Sequence, residues 1–259
     1  MSGGGLITGE RVVTAAGGFN PTYQRHVATY RLCAPLLPPG RVLDLGCGVG
    51  HSFHELAPRE TVGVDVSAQA LAGQDRETVV ADMRDVPFPD ASFASVLSVQ
   101  SIEHVPDPEA VLAEVVRVLE PGGTAIFVTP NRLEFARADE IIDPYHYVEF
   151  APEELRALCA PRFETVEILG LTGSPRWREL VDEEHARLDR LLRLDPLRAR
   201  RLVPRRARQL LYDWMLTRNR RQRPDPRAAA IGPEDFSLVH HDVESAFDLV
   251  ALCRDPRTP

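Results

Sequence analysis

Val42-Leu43-Asp44-Leu45 is a short apolar run, and Gly46-Cys47-Gly48-Val49-Gly50 follows it at once. Four such residues bounded by glycine make a buried strand. The glycines after it let backbone approach a ligand where a Cβ would collide. Thr61-Val62-Gly63-Val64-Asp65-Val66 then forms a second strand with an acid near its end. A carboxylate there can accept from both vicinal hydroxyls of a ribose. The two pieces together describe a nucleoside-like cofactor at the carboxyl ends of the strands.

The same rhythm runs outward in both directions. Pro21–Leu37 reads as a helix stopped by Pro38-Pro39-Gly40, and a helical stretch runs from Gly50 through Leu56. Ser67 caps the helix after the second strand. Further strands are expected at Thr78–Val80, Ser92–Val99, Thr124–Val128, Phe163–Leu169 and Ala246–Leu252, with helices at Pro108–Leu119 and Pro152–Cys159. Strands apolar on both faces and alternating with helices give an α/β fold. The expectation is a doubly wound, mostly parallel, seven-stranded Rossmann-like sheet with a helical insert before the last strand. Its parts are a flexible arm over 1–20, a cofactor-binding core over 21–170, an Arg-rich helical lid over 171–232 and a final strand within 233–259. In the insert, Trp177, Leu180, Val181, Leu188, Leu191 and Leu192 recur at helical spacing, as do Leu210, Leu211, Trp214 and Met215.

Composition narrows the class. The 259 residues are 44% hydrophobic and 26% charged, ample apolar surface to offset ordering entropy, so a mainly disordered chain is excluded. No apolar run approaches the ~20 residues that span a bilayer, and the opening residues lack a signal-peptide pattern. Cys33, Cys47, Cys159 and Cys253 are widely spaced, which argues against a disulfide framework or cysteine zinc site and fits a reducing cytoplasm. All 30 basic residues are arginine, as GC-rich codon usage would give. Thirteen of them lie between Arg187 and Arg223 against three acids, a local net of +10, leaving −18 for the rest of the chain. That segment reads first as a lid with solvated arginines. A cap attracting an anionic acceptor comes second, and a nucleic-acid or membrane surface last, given the overall acidity.

A dinucleotide fingerprint needs G-x-G-x-x-G, and His51 stands where its third glycine belongs. A phosphate-binding P-loop is excluded in a chain without lysine. A glycine loop without a phosphate fingerprint suits a cofactor with ribose, adenine and an amino-acid tail, which is S-adenosylmethionine. The sequence resembles the class I S-adenosylmethionine-dependent methyltransferases, in particular the small-molecule branch that includes quinone-biosynthesis enzymes. The residues carrying the resemblance are Asp44–Gly50, Gly63–Ser67, Ala81-Asp82-Met83, Leu97–Val105 and Arg117–Gly123, in order and in register from about 40 to 130.

That resemblance implies a set of roles. The loop of Gly46, Cys47, Gly48 and Gly50 passes under the methionine part of the cofactor, with Asp44 either touching it or bonding loop amides. Asp65, followed by Val66, takes the ribose, and Asp82 with Met83 receives the adenine. Ser98, Val99 and Gln100 border the methyl sulfonium, and Arg25 pairs with the cofactor carboxylate. His104 and His146 are the candidate general bases, because imidazole titrates near neutrality; Tyr145 and Tyr147 are expected substrate walls. Some quinone O-methyltransferases hold a divalent metal through E-x-x-E-H here, but Gln100 replaces the first carboxylate before Glu103 and His104, so no metal is expected. The (Asp/Asn)-Pro-Pro-Tyr signature of adenine and glutamine methylases is absent after the fourth strand. The expected reaction is transfer to a small organic acceptor, more readily at oxygen than at nitrogen or carbon. The rivals are a non-catalytic binder of the cofactor or an anion, and a nicotinamide-dependent oxidoreductase.

Overall fold

The computed structural model describes residues 20–135, 141–193, 203–211 and 225–257. These divide into two compact units. The larger holds His26–Ile142, His146–Thr172 and the chain from Phe236 onward. The smaller holds the residues up to Arg25, Asp143–Tyr145 and Gly173–Asp235.

The larger unit is built on one sheet. Its strands are β1 (Val42–Leu45), β2 (Thr61–Asp65), β3 (Glu77–Val80), β4 (Phe93–Val99), β5 (Leu119–Pro130), β6 (Phe163–Gly173), β7 (Phe236–Val239) and β8 (Asp248–Pro256). The spatial order is β3-β2-β1-β4-β5-β8-β6-β7. Pairings from β3 through β5 are parallel, and β8 runs antiparallel between β5 and β6. The apolar runs read from the sequence are the interior strands: every residue of β1, β2 and β4 is buried. Leu43, Val64, Val96, Phe127, Leu249 and Ala251 belong to one continuous core, each large side chain contributing about 1.5–3 kcal/mol on burial. The sheet has one strand more than the seven expected. Phe236-Ser237-Leu238-Val239 sits at an edge with only Phe236 buried, so it carries no apolar run that would mark it.

The helices include α1 (Asn20–Cys33), α2 (Ala68–Leu71), α3 (Pro108–Val118), α4 (Arg132–Phe135), α5 (Pro152–Cys159), α6 (Pro175–Leu192) and α7 (Pro226–Ala229). Asp107 Oδ1 accepts from Ala110 N at 3.1 Å and Pro108 follows it, so α3 starts where a cap and a donor-free first residue coincide. Val111, Leu112, Val115 and Val118 make its buried face. Ser67 caps α2 as expected, but Gly73 at φ +84° follows closely and the helix is a single turn. The helical stretch expected after Gly50 is only the 3₁₀ turn Phe53–Leu56. Ser52 offers that turn no side-chain cap, and Pro58 follows it.

In the smaller unit, α6 buries Trp177 and Val181 beside Ala228 and Ile231. Asn20, counted in the expected arm, opens α1 and donates to the carbonyls of Ala228 and Ile231 at 2.8 and 2.9 Å. Asp235 accepts two bonds from Arg176, both at 2.6 Å, and one from Ser174 Oγ at 2.5 Å. Residues 1–19 of the arm, together with Trp214 and Met215, lie outside the described residues. No described helix is long and apolar enough to cross a membrane.

Candidate active site

The strand order reverses direction at β1, with β2 on one side and β4 on the other. Helices diverge from such a point and leave a crevice at the carboxyl ends of the strands, where open α/β sheets bind ligands. Gly46, Gly48 and Gly50 lie there with φ of +75°, +54° and +64°, a backbone path that L side chains rarely follow. A Cβ on Gly46 would fall 2.5 Å from Ser101 Cβ, so the loop is drawn against the segment after β4. Around Gly48, by contrast, a Cβ would meet nothing within 4 Å. One glycine of the loop thus serves packing and the next faces open space.

Asp44 lies beneath this loop and is shut off from solvent. Tyr30 donates its hydroxyl to Oδ1 at 2.8 Å, and Arg76 Nη2 stands 2.8 Å from Oδ2. Burial pushes the Asp44 carboxyl up, and the Arg76 guanidinium pulls it back. Gly63 makes the pairing possible: a Cβ there would sit 2.8 Å from Arg76 Nη2 and 2.9 Å from Cys47 Sγ. Cys47 is buried beside them, and desolvation pushes its thiol up to about 12, which disfavours the thiolate. Among the described residues the partners of Asp44 are thus Tyr30 and Arg76, with no loop amide among them.

Asp65 closes β2. Its Oδ2 accepts from Gly48 N at 3.0 Å and its Oδ1 from Ser67 N at 2.8 Å. A carboxylate has about four acceptor sites, so these two bonds do not exhaust it. Val66 beside it is 67% exposed, a large apolar side chain offered to whatever enters. Asp82 pairs with Arg84 at 2.6 Å, which holds its carboxyl low, chiefly through that side-chain bond. Met83 is buried, and its Cε would lie 3.9 Å from a Gly46 Cβ, the nearest atom after those of Ser101. Glycine loop, ribose-type acid and Met83 are therefore neighbours. Arg25 belongs to the smaller unit.

At the end of β4 the side chains are engaged within the fold. Ser98 is buried, and its Oγ bonds Ser101 Oγ at 2.5 Å. Val99 is buried too. Gln100 adopts φ +51° and sends Nε2 to Asp248 Oδ1 at 3.1 Å. Its side chain is thereby committed to β8. Beyond it the 3₁₀ turn Ile102–His104 presents His104, whose ring lies edge-to-face with that of His146, centroids 5.1 Å apart. Tyr147 N donates to Glu103 O at 2.8 Å, tying the loop after β5 to this turn. Tyr147 itself is half-exposed. His146 Nδ1 lies 2.7 Å from Glu149 Oε1, and Glu103 Oε2 accepts from Thr129 Oγ1 at 3.0 Å. Glu103, His104 and His146 each offer a ligand atom within 4.8 Å of the others.

Residues 43–127 match the family model described as a methyltransferase domain. A Mycobacterium tuberculosis protein named as a probable S-adenosylmethionine-dependent methyltransferase is 30% identical over 96% of this chain and 89% of its own length. The chain belongs to the S-adenosylmethionine-dependent methyltransferases. A ubiquinone biosynthesis O-methyltransferase of Aromatoleum aromaticum is 31% identical over 52% of this methyltransferase and 68% of its own length. The crystal structure of an S-adenosylmethionine-dependent methyltransferase from Thermotoga maritima superposes with a TM-score of 0.60 at 17% identity, covering 92% of both chains, and supports the fold.

The cofactor of this methyltransferase is therefore S-adenosylmethionine, and the crevice fits it. Open space faces Gly48, Asp65 holds the loop through Gly48 N at the end of β2, and Val66 stands ready as an apolar wall. The nicotinamide reading is left without support. Sequence reasoning missed Arg76, Ser101, Thr129, Glu149 and Asp248 as parts of this machinery. Arg76 and Asp248 act across more than 30 residues of separation and leave no local pattern, whereas Glu149, three residues after His146, was within reach of a spacing argument.

Proposed function

We propose that this methyltransferase acts on a hydroxyl of a small organic acceptor bound where β4 and β5 end. Bound S-adenosylmethionine supplies an activated methyl on a good leaving group, so the protein must align, exclude water and manage one proton. Alignment supplies roughly 7–11 kcal/mol of barrier reduction. The glycine loop accommodates the methionine part of the cofactor. Asp65 receives the ribose hydroxyls; Asp82, Met83 and Val66 frame the adenine. Backbone of Ser98, Val99 and Gln100 borders the reacting centre.

The observation that carries the hydroxyl reading is the placing of His104 and His146 together, 5.1 Å between ring centroids. They come from separate loops, after β4 and after β5, and meet at the same corner. A hydroxyl must lose a proton as its oxygen is methylated, and either imidazole can take it near neutral pH. Tyr147 flanks them as an acceptor wall, with Tyr145 expected beside it. The arginines of the insert favour an anionic acceptor. Likeness to a ubiquinone biosynthesis O-methyltransferase over half the chain agrees with oxygen as the target.

The test is transfer of labelled methyl from S-adenosylmethionine to a panel of phenols, carboxylated phenols, amines and carbon acids. Methyl on phenolic oxygen, faster for the carboxylated members, is expected. His104→Ala or His146→Ala should slow turnover by about 10²–10⁴-fold, the usual worth of a general base. Label found only on nitrogen or carbon, or full turnover in both variants, overturns the reading.

A further inference from the structure

We propose that Glu103, His104 and His146 form a binding site for one divalent transition-metal ion. One ligand atom from each lies within 4.8 Å of the other two. An ion with bonds of about 2.0–2.1 Å holds tetrahedral ligands roughly 3.3 Å apart, so a modest inward turn of these side chains closes the triangle. The turn carrying Glu103 and His104 is already fastened to the loop carrying His146 by the bond from Tyr147 N to Glu103 O.

A second observation points to a cation independently of that clustering. Glu103 is fully buried, its Oε2 is occupied by Thr129, and its Oε1 has no hydrogen-bond partner among the described residues. An unsatisfied buried acceptor is costly, and more so when charged. The Thr129 bond leaves Oε1 as the oxygen to be satisfied. Behind His146, Glu149 Oε1 engages Nδ1 at 2.7 Å, and the carboxylate is buried. A carboxylate backing one ring nitrogen is the arrangement that orients a metal-bound imidazole through the other. The two carboxylates also balance a divalent charge.

The donor set differs from the E-x-x-E-H pattern of quinone O-methyltransferases. Position 100 is an amide turned to Asp248, so its oxygen is not available. An imidazole from the loop after β5 takes its place, which leaves one oxygen and two nitrogens. Magnesium and calcium favour all-oxygen sets, whereas imidazole-rich sets suit zinc or iron. Three protein ligands leave positions open, as in catalytic sites. The inference rests on the proposed hydroxyl acceptor only for the use of the ion. A bound ion would supply Lewis acidity that lowers the pKa of a hydroxyl it touches, so that in the loaded protein the two imidazoles hold the ion and in the ion-free protein they remain the bases.

The test titrates zinc chloride and magnesium chloride into the untagged, chelator-stripped full chain, with calorimetry and metal analysis as readouts. One zinc per chain is expected, with magnesium weaker by ~100-fold or more. Glu149→Gln should weaken zinc by about 10–100-fold; Glu103→Gln and His146→Ala should abolish stoichiometric uptake. S-adenosylhomocysteine binding to each variant shows that it is folded. No zinc bound by the wild type, or zinc retained unchanged in Glu103→Gln and His146→Ala, overturns the site; the latter result would place zinc elsewhere. Hydroxyl methylation without zinc binding sinks the ion and spares the acceptor reading. Zinc binding with methylation confined to amines does the reverse.

Discussion

Asp44 Oδ2 and Arg76 Nη2 stand 2.8 Å apart with side chains 0% and 4% exposed, a closed ion pair beneath the cofactor loop. Each charge is tolerable there only because of the other. Arg76→Met should therefore cost about 3–5 kcal/mol, the usual penalty for stranding one member of a buried pair. Adding Asp44→Asn to that variant should recover much of the loss, because the stranded charge is gone. Urea denaturation of the two variants decides it.

Asp65 holds the loop and the helix cap at once, through Gly48 N and Ser67 N. Bonds to a charged acceptor are worth about 1.5–3 kcal/mol each. For Asp65→Ala we expect S-adenosylhomocysteine to bind about 10–100-fold more weakly in calorimetry, with the fold retained by circular dichroism. Unaltered affinity would remove Asp65 from the ribose site.

Gln100 donates to a fully buried Asp248. Gln100→Glu keeps the shape and sets two carboxylates against one another, and such a pair cannot both ionise readily. The variant should lose about 1–3 kcal/mol near neutral pH, the scale of an unsatisfied buried group. Much of that should return near pH 5 as the pair takes up a shared proton. Denaturation curves at the two pH values measure the difference.

Asp235 is held down to about 2, first by its side-chain bonds to Arg176 and then by Ser174 and the Gly232 amide. Its ordinary value is 3.8. A depressed folded-state pKa means that its stabilisation is complete above about pH 4 and drains away between 4 and 2. Asp235→Asn should flatten the thermal midpoint against pH across that window, with less effect at high salt because Arg176 is half-exposed.

Most of the sheet was legible because its strands are buried on both faces and read as unbroken apolar runs. Residues 42–45 and 93–99 show this most plainly. The glycine loop and Asp65 were legible for a different reason: only those residue types allow that backbone path and that acceptor. The edge strand 236–239 escaped because only Phe236 of it is buried. The partners of Asp44 and Gln100 escaped because Arg76 and Asp248 meet them only through folding. Gly63 was the missed clue, since a glycine inside a strand marks a close approach, and here Arg76 crosses it.

The lane taken by β8 bears on how this molecule is made. Residues 248–256 come late off the ribosome, yet they zip together β5 and β6, which precede them by many residues. Until they emerge, both neighbours carry open edges ready to recruit foreign strands. Nascent chains stalled or clipped before that point should be strong chaperone clients, although nearly all of the cofactor crevice would already be written.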